Sequence, residues 1–342
     1  MTTQAAGIPA VDDVSDLAPE EMERAYLEYR RACYNIVART AEERGVFALL
    51  TEPATLDTFA ERFGVVETKK PVAELLLKAL VKRGFVVFDG ATYRTAAEQP
   101  EPSFDERLLK LATGHSSFEE LRHSENYVGI IDTLKVEGIP IAATFDAAHL
   151  TVWNEVLQAP FYRYSRIQAV REIGGAGPHL LDLACGPGFG LGELAEGAPA
   201  EATVLGVEIS DDFVVAATER HAGDARVRVT RGDVTKPLDF LQEGYFDGAM
   251  IVGAYHFLAE PHLLWRNAGR LLRPGGVFCV SYVLSKMGTE DQEIMDLRFA
   301  LRRPVSYPPT RPEVLDLAKA AGFELEREYG LGAWRWYSFT KL

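Results

Sequence analysis

The chain has 342 residues, and at about 150 residues per domain this length predicts roughly two domains. Hydrophobic residues make up 47% of the chain and charged residues 25%, a globular balance that excludes wholesale disorder. The 36 basic and 50 acidic residues give a formal net charge of -14. Because phosphate groups and anionic lipids attract basic surfaces, this charge argues against nucleic acid or a membrane as the main partner.

Cysteine usage and the N-terminal sequence bear on the cellular compartment. The three cysteines, Cys33, Cys185 and Cys279, are too few for a disulfide framework, which fits a reducing cytosol. The first residues are acidic and lack the apolar core of a secretion signal. No run of about 18 apolar residues predicts a transmembrane helix. We therefore expect a cytoplasmic protein with no membrane partner.

The N-terminal quarter predicts a small helical domain. Residues 1–18 are expected to form a flexible acidic tail, and residues 19–96 a compact domain. Two β-rich runs flank Asp89-Gly90, which is a strong signal for a two-residue hairpin turn. Three helices are expected before that hairpin, over 20–50, over 55–66 ending at Gly64, and over 71–83 opened by Pro71.

Helix, helix, helix, hairpin is the order of a winged helix, and it admits two interpretations. One is a DNA-reading module, in which the helix before the hairpin enters the major groove. That helix reads ELLLKAL at its centre, so most of its surface needs burying, and acids offset its lysines. We therefore favour dimerisation. A homodimer is expected through residues 20–95, with an interface above the standard size, and the apolar residues assigned to it are Phe47, Leu49, Leu50, Leu75, Leu76, Leu77 and Leu80.

The rest of the chain predicts a helical connector followed by an α/β domain. Residues 97–172 begin with a polar, proline-containing linker and continue as helices that we expect to roof an active site. From residue 173 to 342, strand-like runs alternate with helical stretches, which indicates parallel strands joined by helical crossovers. The last two runs, FELEREYG and WRWYSFTKL, are close enough to pair as a terminal hairpin.

Candidate functional residues follow the predicted parallel strands. The first strand, with Asp182 inside it, runs into the glycine-rich turn ACGPGFG, whose glycines let a ligand approach the backbone before a helix begins. The second strand ends at Glu208, where a carboxylate can accept both hydroxyls of a ribose. The third ends near Asp233, which can accept from an adenine amine. The fourth ends in GAYH, at the sheet edge where open α/β sheets bind ligands.

At these landmarks the sequence resembles the class I S-adenosylmethionine (SAM)-dependent methyltransferases. The resemblance covers 179–283 and is carried by LDLACGPGFG, GVEIS, RGDV, FDGAMIVGAYHFL and LLRPGGVF. The N-terminal region is similar to the winged-helix dimerisation domain of small-molecule methyltransferases, many of which are O-methyltransferases of secondary metabolism. The resemblance implies a Rossmann-like, seven-stranded SAM-binding sheet behind an N-terminal α-helical winged-helix domain. Together the two parts of the resemblance cover nearly the whole chain, and the resemblance is weakest over 100–170.

The resemblance also implies residue roles. Gly186 and Gly188 would cradle the methionine part of SAM, with Asp182 supporting its amino group. Glu208 would bind the ribose, Asp233 the adenine amine and Val234 the adenine ring, while Gly253 would border the sulfonium. The family often has glycine at the first position of the turn, where this chain has Ala184.

Catalytic residues are less clearly indicated. His256 lies where aromatic O-methyltransferases of this family carry a general-base histidine, although Phe257 follows it where those enzymes often have an acid. The alternative is a histidine that packs or caps at the turn. Tyrosine rings attract cations, so Tyr127, Tyr162, Tyr164 and Tyr255 are candidates to line the sulfonium, with helix packing as the ordinary alternative. Of Tyr162 and Tyr164, spacing allows one at most.

Two further signals are weak. Arg302 and Arg303 could hold an anionic substrate group, but a surface pair is the more ordinary interpretation. His256 and His262 are six residues apart, which is not a one-face helical spacing, so no metal site is expected.

The resemblance therefore implies SN2 methyl transfer from SAM to a small molecule, a secondary-metabolite precursor, leaving S-adenosylhomocysteine (SAH). One alternative is a non-methylating SAM enzyme, which would release methylthioadenosine by attack within SAM itself. A lesser alternative is a SAM-binding winged-helix regulator. The identity of the acceptor, and whether oxygen, nitrogen or carbon is methylated, stay open.

Overall fold

The computed structural model describes residues 17–101, 103–124, 129, 131–137, 147–301 and 308–342. The predicted Tyr127, Arg302 and Arg303 lie outside these residues. Contacts within the chain divide it into two units. The helical unit contains the described residues of Ala18–Ala143 and Gly288–Ser306, and the α/β unit contains those of Thr144–Met287 and Tyr307–Leu342.

The elements are numbered in chain order. The helices are α1 Pro19–Glu43, α2 Val46–Leu49, α3 Leu56–Phe63, α4 Lys70–Lys82, α5 Glu106–Thr113, α6 Phe118–Ser124, α7 Ala147–Gln158, α8 Pro160–Ile173, α9 Phe189–Gly197, α10 Asp211–Arg220, α11 Pro261–Leu271, α12 Gln292–Ala300 and α13 Arg311–Ala320. The strands are β1 Val86–Phe88, β2 Tyr93–Thr95, β3 His179–Leu183, β4 Thr203–Glu208, β5 Val227–Arg231, β6 Phe246–Val252, β7 Leu272–Val283, β8 Phe323–Leu331 and β9 Trp334–Lys341.

The helical unit begins with the elements expected from the sequence. The side chain of Thr55 accepts from a first-turn N–H of α3, and Gly64 ends that helix with a φ of 75°. Proline lies in the first turn of α4, where its missing N–H costs nothing. The predicted helix over 20–50 is divided, because Gly45 adopts a φ of 78° between α1 and α2. The observed order agrees with a winged helix, an assignment that stays a prediction.

The hairpin turn is longer than the predicted two residues. Phe88 pairs with Tyr93, so the four residues from Asp89 to Thr92 form the connection. Asp89 explains this length, because its carboxylate accepts from the backbone N–H groups of Ala91, at 2.9 Å, and Thr92, at 2.7 Å. These bonds lower the pKa of Asp89 to about 2.

The helical unit also includes a segment from late in the sequence. The Tyr26 hydroxyl donates to the Asp291 carboxylate at 2.7 Å, and the Tyr34 hydroxyl accepts from the N–H of Ile294 at 3.2 Å. These contacts join α1 to α12. In sequence the chain passes between the two units at 143/144, 287/288 and 306/307. The domain bounds expected from the sequence, at 18/19, 96/97 and 172/173, stay a prediction.

Much of the apolar surface assigned to a dimer interface is used inside the helical unit. Leu50, Leu76, Leu77 and Leu80 are fully buried in this single chain. Phe47, Leu49 and Leu75 are only partly buried.

The α/β unit is built on a seven-stranded sheet, as the sequence predicted. Its order is β5-β4-β3-β6-β7-β9-β8. The pairs from β5 to β7 are parallel, and β9 pairs antiparallel with both β7 and β8. The strand order reverses at β3, since β4 and β5 lie on one side of it and β6 and β7 on the other. Open α/β sheets bind ligands in the crevice at the carboxyl ends of the strands at such a point.

Apolar side chains on both faces hold the sheet between helices. One face packs around Trp265, Phe278 and Phe339, and the other around Ile173, Leu191 and Met250. Of the helices in the described residues, none combines the length and the apolar character needed to cross a membrane.

Candidate functional site

The turn after β3 has the backbone that the glycine-rich sequence predicts. Gly186 and Gly188 adopt positive φ values of 57° and 89°. Ala184 also has a positive φ, of 65°, although it carries a Cβ that disfavours this region. The N–H groups of Ala184 and Cys185 donate to the Val207 carbonyl of β4, at 2.8 and 3.1 Å, which holds the strained residue in place. This observation explains why glycine suits the position of Ala184.

The two turn glycines face different surroundings. A Cβ on Gly186 would find only Leu157 Cδ1, at 4.0 Å, so the backbone there is open to a ligand. A Cβ on Gly188 would lie 2.9 Å from the Cβ of Ala217 on α10. Gly188 is therefore required for packing within the protein, whereas Gly186 borders free space.

Asp182 is a buried carboxyl beneath the start of α9. Its side chain reaches under Gly190, where an added Cβ would lie 2.8 Å from Asp182 Oδ2. Burial raises the pKa of Asp182 to about 8, with Arg166 opposing this shift and Glu208 and Glu193 adding to it. A cation placed beside Asp182 would favour the ionised form.

Glu208 ties the glycine turn to the end of β4. One of its carboxylate oxygens accepts from the Gly186 N–H and the other from the Ser210 N–H, both at 2.9 Å. Burial raises the pKa of Glu208, while these backbone hydrogen bonds act to lower it. Each oxygen keeps a lone pair that could accept a further hydrogen bond.

Asp233 and Val234 follow β5 in the expected place. One oxygen of the Asp233 carboxylate accepts from the backbone N–H of Thr235 at 2.8 Å and from its hydroxyl at 2.7 Å. This is a local turn that fixes the half-buried carboxylate at the sheet edge. Val234 is buried in the core of the unit, packed among the side chains of that cluster.

Gly253 follows β6 beside an aromatic group. Its N–H donates to the Ser281 carbonyl at 2.7 Å, and the indole of Trp334 donates to the Ser281 hydroxyl at 2.8 Å. A Cβ on Gly253 would lie 3.7 Å from the Trp334 ring. The Tyr162 ring meets Trp334 edge to face at 5.9 Å, so Tyr162 lies near this strand end, whereas Tyr164 is buried against Trp336.

Tyr255 and His256 are both more buried than their sequence position suggests. Tyr255 is 1% exposed, stacks on Tyr282 at 4.3 Å and accepts from the indole of Trp265 at 2.8 Å. Its ring belongs to the core, which is the ordinary alternative to lining a sulfonium. His256 is 6% exposed and lies 4.2 Å from the ring of Phe257.

The structure adds site residues that the sequence patterns did not single out. Ile209, directly after Glu208, is 52% exposed, which is unusual for a large apolar residue at a ligand-binding sheet edge. Helix α7 brings Leu157 to the open side of Gly186 and Trp153 edge to face with Phe257 at 6.4 Å. The position of Ile209 in sequence was a usable signal. The placement of α7 depends on tertiary contacts, so no local sequence pattern indicated it.

Within the described ranges, no group of three or more His, Cys, Asp or Glu side chains is arranged to hold a metal ion.

Comparisons with known proteins agree with this architecture. Residues 181–280 match a family model described as a methyltransferase domain. An uncharacterized 37.1 kDa protein from a Streptomyces fradiae transposon is 37% identical over 101 residues, covering 29% of this chain and 28% of the relative. An uncharacterized methyltransferase of Emericella nidulans is 29% identical over 161 residues, covering 43% of this chain and 56% of the relative. The chain thus spans no more than about half the length of these curated relatives.

Solved structures are similar along nearly the whole chain. The CurJ carbon methyltransferase has a TM-score of 0.64 at 16% identity, covering 96% of this chain and 98% of its own. The carbon methyltransferase domain of the citrinin polyketide synthase has a TM-score of 0.65 at 14% identity, covering 99% of both chains. An O-methyltransferase family protein from Burkholderia thailandensis has a TM-score of 0.53 at 17% identity, covering 98% and 99%. At these identities the likeness establishes the fold: this chain has the Rossmann-like α/β fold that these methyltransferases share.

Proposed function

We propose that this chain is a SAM-dependent methyltransferase that acts on a small molecule, in secondary metabolism and in the cytoplasm. The observation that carries the proposal is the bond between Glu208 and the Gly186 N–H, which joins an open glycine turn to a carboxylate at the neighbouring strand end. The match of residues 181–280 to a methyltransferase domain supports it.

The residues at the strand ends suit the parts of SAM. Gly186 offers open backbone to the methionine portion, and Asp182 would accept from its ammonium group. Glu208 has lone pairs available for the two ribose hydroxyls, and Asp233 would accept from the adenine amine. We add Ile209 to the predicted set, because its exposed apolar side chain beside Glu208 suits the flat face of an adenine better than Val234, which is buried in the core.

Bound SAM would supply an electrophilic methyl group on a sulfonium, whose sulfur keeps the electron pair when the methyl bonds to the acceptor. This chain would hold donor and acceptor in line, which can provide most of the rate enhancement in such a reaction. Tyr162, beside Trp334 and near Gly253, is our candidate to face the sulfonium. His256 is the candidate base for the acceptor proton, provided that a substrate reaches its buried ring.

The acceptor is best sought without assuming its chemistry. Structures of similar fold include proteins whose names identify carbon and O-methyltransferases. A test panel should therefore contain activated carbon acids, such as β-dicarbonyl compounds, and phenols.

The first experiment is calorimetric titration of the full chain with SAH. We expect binding in the micromolar range, and Glu208→Gln should weaken it by about tenfold or more, because two charged hydrogen bonds to the ligand would become neutral. Glu219→Gln, on the exposed surface of α10, is the matched control and should bind normally. No SAH binding to the unmodified chain would overturn the proposal.

A second experiment separates methyl transfer from other SAM chemistry. The chain is incubated with SAM alone and then with the acceptor panel, and both SAH and methylthioadenosine are quantified. Methyl transfer predicts SAH formation that depends on an acceptor. Methylthioadenosine without an acceptor would instead support a non-methylating enzyme.

We further propose that the chain forms a homodimer through the helical unit. Less apolar surface is available for a dimer interface than the sequence suggested, because four of the seven assigned apolar residues are buried within the chain. The remaining argument is the hairpin, where Val87 and Phe88 are 46% and 44% exposed. Light scattering at micromolar concentration tests this: we expect a dimer that Phe88→Lys weakens, and a monomeric unmodified chain would contradict it.

A further inference from the structure

The end of α10 is bonded to the glycine turn. Arg220 Nε donates to the Pro187 carbonyl at 2.9 Å, and His221 Nε2 lies 2.7 Å from the Gly188 carbonyl oxygen. Two consecutive carbonyls of the turn are therefore held by Arg220, the last residue of α10, and by His221, which directly follows it. Because the C=O and N–H of one peptide point in opposite directions, fixing the Gly188 carbonyl also fixes the Phe189 N–H at the start of α9.

The end of α10 packs tightly against the glycine turn. A Cβ on Gly188 would lie 3.2 Å from His221 Nε2, and a Cβ on Gly192 would lie 3.1 Å from His221 Cε1. A side chain at either glycine would therefore need the end of α10 to move, so this packing depends on glycine at both positions.

Arg220 also reaches away from the turn, toward α7. Its Nη2 donates to the Asn154 side-chain oxygen at 3.2 Å, and its guanidinium lies 3.8 Å from the centre of the Phe189 ring. The other end of α7 is bonded to α10 as well, where the Ala147 N–H donates to Asp212 at 2.9 Å. Helix α7 is therefore bonded to α10 at its first residue and again at Asn154, in its second half, where Arg220 joins it to the turn.

We propose that Arg220 is a positioning residue that couples α7 to the glycine turn, so that cofactor binding and docking of α7 stabilise each other. The planar guanidinium suits this role because its face stacks on Phe189 while its edge donates to Pro187 and Asn154, whereas an ammonium group is a point charge with no planar face to stack. Docked α7 places Leu157 Cδ1 4.0 Å from the position of a Cβ on Gly186, so α7 borders the open side of the turn. This inference rests on the proposed binding of SAM and SAH at that turn.

The test measures SAH affinity and hydrogen exchange of α7 in the full chain. In the unmodified chain, SAH should slow amide exchange in α7. Arg220→Lys keeps the charge but should bind SAH about five- to tenfold more weakly, and SAH should no longer protect α7. Arg270→Lys, which alters an arginine on α11 that pairs with Glu243, is the control and should behave as the unmodified chain.

Asn154→Ala provides a second route to the same link if Arg220→Lys folds poorly. It should weaken SAH binding several-fold, and the double variant should lose no more than Arg220→Lys alone, because both changes break one connection. Additive losses in the double variant would overturn the proposed coupling but not the proposed function. Arg220→Lys would do the same if it kept the SAH affinity and the α7 protection of the unmodified chain. Failure of the unmodified chain to bind SAH would overturn the proposed function and this inference with it.

Discussion

Arg166 and Glu193 form a two-point ion pair, Nε to Oε2 and Nη2 to Oε1, each at 2.7 Å, and it joins α8 to α9. The remaining nitrogen, Nη1, donates to the Leu157 carbonyl at the end of α7, also at 2.7 Å. The pair lies close enough to Asp182 for Arg166 to lower, and Glu193 to raise, the pKa of that carboxyl. One arginine thus organises three elements around a buried acid of the candidate site.

Removing Arg166 should destabilise the α/β unit strongly. Arg166→Met leaves Glu193 without its main partner, and breaking a pair of this kind costs roughly 3–5 kcal/mol. Urea unfolding of Arg166→Met should show this loss, and Arg166→Met with Glu193→Leu should recover much of it, because the unpaired carboxylate of Glu193 is then gone. An equal loss in the single and double variants would contradict this account.

Cofactor binding should be linked to the ionisation of Asp182. With a pKa of about 8, Asp182 is mostly protonated at pH 7, and an ammonium group beside it would favour loss of that proton. SAH binding at pH 7 should therefore release close to one proton, and affinity should increase as pH rises toward 8. Calorimetry in buffers of different ionisation enthalpy measures the release. Asp182→Asn should abolish the release and weaken binding, and proton-neutral binding by the unmodified chain would contradict the assignment.

The same pKa shift makes Asp182 costly for folding. The pKa of Asp182 is higher in the folded chain than in the unfolded chain, so over this pH range the folded chain keeps a proton that the unfolded chain loses. The stability that goes with this proton is lost as pH rises from about 4 through 8. Asp182→Asn should therefore be more stable than the unmodified chain at pH 8, with the difference shrinking toward pH 4. Thermal unfolding at several pH values gives the comparison. A variant less stable at pH 8 would show that the carboxylate has a stabilising partner.

The two turn glycines should respond differently to alanine. Gly188→Ala forces a Cβ against Ala217 at 2.9 Å and should lower both stability and SAH affinity. Gly186→Ala meets open space, so it should cost only about 1 kcal/mol for its positive φ while still obstructing the ligand. Urea unfolding paired with SAH titration distinguishes the two. Equal destabilisation of both variants would contradict the difference in their surroundings.

His256 and Tyr162 can be separated by kinetics once an acceptor is found. If His256 is the base, His256→Ala should lower the maximal rate by about 10²–10⁴ with little change in SAM affinity, and the unmodified rate should fall at low pH. If positioning dominates, the loss should stay below about tenfold. Tyr162→Phe keeps the ring that attracts a cation and removes the hydroxyl. A near-silent His256→Ala beside a severe loss in Tyr162→Phe would defeat the histidine-base model.

Sequence patterns predicted the features that depend on local chemistry. The parallel strands and the closing hairpin follow from alternating β and α signals, whereas the family resemblance implied the number of seven strands. The turn at Gly186 follows from glycines that need positive φ values. The ends of α3 and α4 were predicted from Gly64 and Pro71, because these residues act through their own backbone. Because the carboxyl ends of parallel strands lie at one edge of a sheet, the pattern also predicted that Asp182 and Glu208 lie at the same edge.

Features that depend on residues far apart in the sequence could not be predicted from local patterns. Tyr255 neighbours His256 in sequence, but its burial is decided by Trp265 and Tyr282, which a local pattern does not reveal. The attachment of α12 to α1 depends on Tyr26 and Asp291, which are 265 positions apart. The turn at Asp89 was misjudged because Asp-Gly signals a two-residue loop, whereas the carboxylate organised a wider one.

The helical unit is built from two separate stretches of the chain, and this has a consequence for recombination between related proteins. Exchanging the helical unit for that of another protein needs junctions at 143/144, 287/288 and 306/307, because α12 folds with α1 rather than with the sheet. A single crossover upstream of the sheet would pair a foreign α1 with the native Asp291 and leave that carboxylate without its tyrosine. Chimaeras made with all three junctions should fold more readily than those made with one.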